Sequence, residues 1–160
     1  MSGLFATTAL SASNTRADSA TGAAAEARAK TLEATQTAEN AVLAPADLGG
    51  VPHDLRAALA ARIALLNDEP DLAARYRARI AGDAPLADPA QDGSAQGMAA
   101  VVAFMDKVAA HTKDVQAEDI VALKAAGIGD ADIVRLAELN AFMAYQVRLI
   151  AGLRLMGATA

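Results

Sequence analysis

The sequence predicts an all-α protein of about six helices, the last of them long and apolar. Three observations carry this. Hydrophobic residues make up 54% of the chain and much of that share is alanine, the strongest helix former. Aromatic residues reach only 3% and Trp is absent, so the residues that favour strands are scarce. Apolar residues recur at three- and four-residue intervals through several segments, the period of a helix face. The 160 residues suit one domain with a real core.

Residues 1–18 are small and polar, rich in Ser, Thr and Ala, and are expected to be mobile. The single helical domain is expected over 19–160. A first helix is expected over about 20–43, ended by the loop APADLGG, where Pro45, Gly49 and Gly50 stand. Pro52 opens a second helix, since proline is tolerated in a first turn. Leu55, Leu59, Ile63 and Leu66 give that helix one apolar stripe. In the turn NDEP, Asp68 or Glu69 is placed to cap a third helix with Pro70 in its first turn. That helix runs to about Ile80, with Leu72, Tyr76 and Ile80 inward and Arg75 and Arg79 outward.

AGDAPLADPAQDGSAQG, residues 81–97, is long for a connection in a compact domain and offers little apolar surface, so mobility is expected there. The fourth helix, about 95–112, turns Met98, Val101, Val102, Met105 and Val108 to one face. A short fifth helix over about 117–126 stops at Gly127, a usual residue just past a helix end. Asp130 is placed to cap the sixth helix, which is apolar nearly all round and must be covered on most sides.

Charge and composition exclude several classes. The net charge is −5 and no Lys or Arg block interleaves with aromatics, which argues against nucleic-acid binding. Cys is absent, so no disulfide, thiolate metal site or thiol catalysis is available. His53 and His111 lie 58 residues apart and make no metal-ligand spacing, so no metal and no cofactor is expected. The N-terminus lacks a basic region followed by a continuous apolar run. The apolar segment 133–156 carries Arg135, Glu138, Arg148 and Arg154, too many charges for a membrane span. A cytoplasmic location is expected.

Two stretches carry a resemblance. EDIVALKAAGIGDADIVRLAELNAFMAYQVRLIAGL, residues 118–153, has a short helix ending in L-x-x-A-G, then Asp, Ile and a long helix. It resembles the C-terminal half of alkylhydroperoxidase D-like proteins of the carboxymuconolactone decarboxylase superfamily, in particular their bacterial peroxidase-related branch. LRAALAARIALLNDEPDLAARYRARI, residues 55–80, is similar in shape to that superfamily's redox-motif region. In members that work as peroxidases, a C-x-x-C opens the third helix, where the positive helix end stabilises a thiolate. A histidine and a glutamate one helix earlier relay the proton. Matched position by position, the two cysteines fall on Glu69 and Leu72, and the histidine between them on Asp71. The following histidine falls on Tyr76 and the relay glutamate on Ala57, while the framework residues Asn67 and Pro70 remain. The resemblance thus implies an alkylhydroperoxidase D-like helical fold and a place for the site, without the thiol chemistry.

At that place Glu69, Leu72 and Tyr76 share one helix face. A carboxylate and a phenol offer general acid–base groups, which makes Glu69 and Tyr76 the catalytic candidates. About 10 Å of helix rise separates them, so a substrate or water must bridge the two. The plain alternative is that Asp68, Glu69 and Asp71 serve the helix N-terminus and Tyr76 the core. Asn140, Gln146 and Arg148 interrupt the apolar sixth helix and, with Asp71 and Leu72, are the candidates for ligand binding or a subunit contact.

The leading functional reading is a homo-oligomeric, small-molecule-binding or partner protein without thiol peroxidase activity. A non-thiol acid–base enzyme of the carboxymuconolactone decarboxylase type is the alternative, and a peroxidase-related oxidoreductase of another mechanism the third.

Overall fold

The computed structural model describes residues 3–159. They form eight α-helices joined by loops and 3-10 turns, with no strand among the described residues. The helices are α1 (Thr8–Ala12), α2 (Ala20–Glu26), α3 (Ala29–Leu43), α4 (His53–Leu66), α5 (Pro70–Arg77), α6 (Ala99–Ala110), α7 (Ala117–Ala125) and α8 (Asp130–Ala158). None is long and apolar enough to cross a membrane.

The most enclosed element is α4. Every residue from Arg56 to Ala64 is buried, and Ala60, Ala61 and Ala64 have no exposed surface. Alanine lets neighbouring helices approach closely on every side, so the single apolar stripe expected of this helix becomes an all-round core. The main core gathers Leu59, Ile63, Leu72, Met105, Leu136 and Met143 around it.

Two arginines interrupt the alanines of α4, and each fastens a loop. Arg56 donates to the carbonyls of Val51 (2.7 Å), Leu48 (3.0 Å) and Val42 (3.1 Å). Arg62 forms a two-pronged ion pair with Asp106 of α6 (2.6 and 2.7 Å). It also donates to the carbonyls of Asp88 (2.7 Å), Gln91 (2.8 Å), Pro89 (3.1 Å) and Leu86 (3.3 Å). The connection 81–97, expected to be mobile, is therefore wrapped around one buried guanidinium. Five donors in a planar fork suit such a set of carbonyls.

The N-terminal stretch, expected to be mobile, has residues 1–2 outside the described residues and packs from Gly3 onward. A 3-10 turn over Gly3–Ala6 and then α1 lie against the bundle. Leu4 and Leu10 are buried in a small second core with Ala25, Leu32 and Leu153. The two leucines supply the apolar surface that offsets the ordering of an otherwise polar segment. The expected first helix is two helices. Arg28 leaves helical geometry between them, and both helices pack on α8.

Further along, α5 begins at Pro70 after Asp68 at φ +58°, a left-handed conformation that aspartate tolerates. Glu69 occupies the cap position, yet its side chain makes no capping bond. A capping box between Gln116 and Asp119 starts α7, and Gly127 at φ +85° ends it. Gly129 precedes α8, and Asp130 makes no cap but pairs with Lys124 (2.7 Å). One side of α8 is covered by α1, α2, α3, α4, α6 and α7, and its opposite side is open to solvent.

Candidate functional site

The helix α3 buries Leu32, Thr35, Glu39 and Leu43 at helical spacing. Glu39 thus occupies a core position and is 2% exposed. Tyr76 reaches it from α5 and Gln146 from α8, at 1% and 0% exposure. One Glu39 oxygen accepts from the Thr8 hydroxyl (3.0 Å) and from Arg79 (3.3 Å). The other accepts from the Gln146 amide (3.1 Å). Gln36 on the same helix accepts from the backbone N–H of Thr8 (2.8 Å). The N-terminal turn is thereby tied to α3 beside the carboxylate.

Two polar atoms in this group have no hydrogen-bond partner among the described residues, Tyr76 Oη and Gln146 Oε1. The Gln146 amide lies beside the Tyr76 hydroxyl but outside bonding geometry. Burial pushes the Glu39 carboxyl above its ordinary range, against the opposing pull of Thr8 and Arg79. Burial, and then the Glu39 charge, push the Tyr76 phenol far above its ordinary range. Tyr76 is accordingly a neutral phenol, a hydrogen-bond donor rather than a base. Glu39 and Tyr76 form the inner wall of an open cleft of about 410 Å³, flanked by Thr8, Gln36, Arg75 and Arg79, while Gln146 lies behind them in the core. Arg75 also donates to the Ser11 hydroxyl.

The structure places Glu69 and Tyr76 in different surroundings. Glu69 is 5% exposed, and one oxygen accepts from Arg154 of α8 (2.7 Å). Its other oxygen has no partner among the described residues. Arg154 also donates to the Ala12 carbonyl (3.0 Å), so Glu69 takes part in docking α1 and α8 on the start of α5. Tyr76 faces Glu39 instead. The acid–base pair that the structure brings together is Glu39 with Tyr76.

The remaining candidates scatter. Leu72 is fully buried in the core and Asp71 is exposed in the first turn of α5. Asn140 donates to the Met105 carbonyl within the protomer (2.9 Å), and Gln146 belongs to the Glu39 cluster. Of the three polar residues of α8 expected at a subunit contact, only Arg148 is exposed. His53 donates to the Pro45 carbonyl (2.9 Å), and among the described residues no three His, Asp or Glu side chains converge to hold a metal.

Glu39 was missed because its helix looks polar and weakly patterned. The available signal is its position between Leu32 and Leu43 on one stripe, where a carboxylate is costly unless it is bound.

No protein-family model, curated protein or solved structure matches the chain.

Proposed function

We propose that the chain is an alkylhydroperoxidase D-like helical protein that binds a small oxyanion-bearing molecule, a compact carboxylic acid, in the Glu39–Tyr76 cleft without thiol chemistry. The superfamily reading is supported by the order of a buried helix, the Asn67–Pro70 turn, α5, and then α7 leading through Gly127 into α8. The observation that carries the binding reading is the unpartnered Tyr76 Oη at the wall of the cleft, beside the buried Glu39 carboxylate. Buried polar atoms are rarely left without partners, and a ligand supplies them. Arg75 and Arg79 at the cleft give an anionic group its counter-charge, while Tyr76 donates a hydrogen bond to it.

The test is a melting-temperature screen of the purified chain against small mono- and dicarboxylic acids, followed by calorimetry on any that stabilise it. Tyr76→Phe removes only the unpartnered hydroxyl, so it should keep the fold and lose affinity. A panel without effect, or equal binding by Tyr76→Phe, counts against the reading.

The raised Glu39 carboxyl favours a second reading, an acid–base enzyme acting on a lactone or a decarboxylating acid. A base is most effective when its proton affinity approaches the working pH, and a neutral phenol beside it serves as hydrogen-bond donor to a developing enolate or oxyanion. Here Glu39→Gln would retain binding and abolish turnover. In either reading, purified protein consumes organic hydroperoxide with a dithiol reductant no faster than background, because the chain has no thiol.

A further inference from the structure

We propose that the outward face of α8 is the contact surface of a symmetric dimer in which two copies of this helix run antiparallel. The inference is independent of the cleft. It starts from the charges. Between Val134 and Met156, α8 carries four charged residues. Two are turned into the protomer, Arg135 onto Asp47 and Asp132 (2.8 and 2.9 Å) and Arg154 onto Glu69. Glu138 and Arg148 are exposed, opposite in sign, and make no hydrogen bond or ion pair among the described residues. The rest of the face is apolar where a solvent-facing helix side is normally polar. Val134 is 56% exposed, Leu155 69% and Tyr145 44%, the Tyr145 hydroxyl being bonded to that of Thr35 on α3 (2.8 Å).

These residues share one line along the helix. From Ala131 to Leu155 the outward positions step alternately by three and four, the repeat of a helix–helix seam. The line is self-complementary about a two-fold axis at position 143. An antiparallel copy sets Glu138 against the partner's Arg148, and by symmetry Arg148 against the partner's Glu138. Every other step sets small against large: Ala141 meets the partner's Tyr145, Val134 the partner's Gly152, and Ala131 the partner's Leu155. A parallel copy in register would instead put Glu138 on Glu138 and Arg148 on Arg148, and like charges in a contact are costly. An isologous contact of this kind closes on itself as a dimer.

The experiment is sedimentation equilibrium of the native chain with single and double charge reversals. The native chain should dimerise in the micromolar range. Arg148→Glu and Glu138→Arg should each weaken the dimer about tenfold or more, and the two together should restore it. Both side chains are exposed and unpaired in the protomer, so circular dichroism should show an unchanged fold. Because the chain has no cysteine, introduced cysteines report the geometry. Ala141→Cys lies close to its symmetry mate and should link under oxidation. Leu155→Cys sits about 36 Å along the helix from its mate and should not. A native chain that stays monomeric, a double reversal that restores nothing, or cross-linking through Leu155→Cys overturns the proposal.

Discussion

Glu39 is the residue whose environment most departs from what its type prefers. Its folded-state proton affinity is raised by burial, so folding binds its proton more tightly than the unfolded chain does. Stability from this group is fully present below the ordinary glutamate value of 4.5. It is lost as pH rises through the higher folded value, where a charge must be held in the core. Glu39→Gln should therefore flatten that part of the stability–pH curve, and the variant should be at least as stable as the native chain at neutral pH. The geometry permits it: a glutamine oxygen can still accept from Thr8 and Arg79, and its NH2 can donate to Gln146 Oε1, which now has no partner. Denaturant melts of both proteins from pH 4 to pH 8 check this. A native curve that rises across the window while the variant's does not would contradict it. The carboxylates of Asp18 and Asp119 are lowered by their Arg16 and Lys107 partners and act in the opposite sense, their contribution being lost as pH falls.

At the scale of elements, what periodicity carries was legible and what a single buried charge carries was not. The faces of α5 and α6, the Pro70 start of α5 and the Gly127 end of α7 follow from spacing and turn chemistry. The break between α2 and α3 has no local signal, since good helix formers flank Ala27 and Arg28. The anchoring of 81–97 is not legible because it runs through Arg62, a residue that composition assigns to the surface. Arg62→Met should cost about 3 kcal/mol, the scale for removing one partner of a buried pair. It should also release the loop, raising amide exchange at residues 86–91 far more than in α6. Unchanged protection of that segment would show that the loop holds itself. The N-terminal stretch gives a parallel case. Leu10→Ala empties a fully buried position and should cost about 3 kcal/mol. Because Thr8 and Arg79 share a Glu39 oxygen, loosening α1 should also make the Glu39 cleft more accessible to solvent exchange.

For the whole molecule, the outer side of α8 links stability to association. An element apolar nearly all round was expected to be covered on most sides, and the protomer covers only one. The polar residues expected to explain the remainder, Asn140 and Gln146, are occupied inside the protomer, which leaves the exposed line with Glu138 and Arg148. If two native chains must separate before or as they unfold, the melting temperature depends on concentration by mass action. Each tenfold rise should add about 0.7 kcal/mol per protomer, or about 2 °C for a chain of this size. Arg148→Glu, which breaks no hydrogen bond or ion pair within the protomer, should lower the melting temperature wherever the native chain is dimeric and move the onset of the dependence to about tenfold higher concentration or beyond. Calorimetric scans of the two proteins across two decades of concentration measure both slopes. Superimposable melting temperatures at every concentration would mean that the charges on α8 have no part in holding copies together.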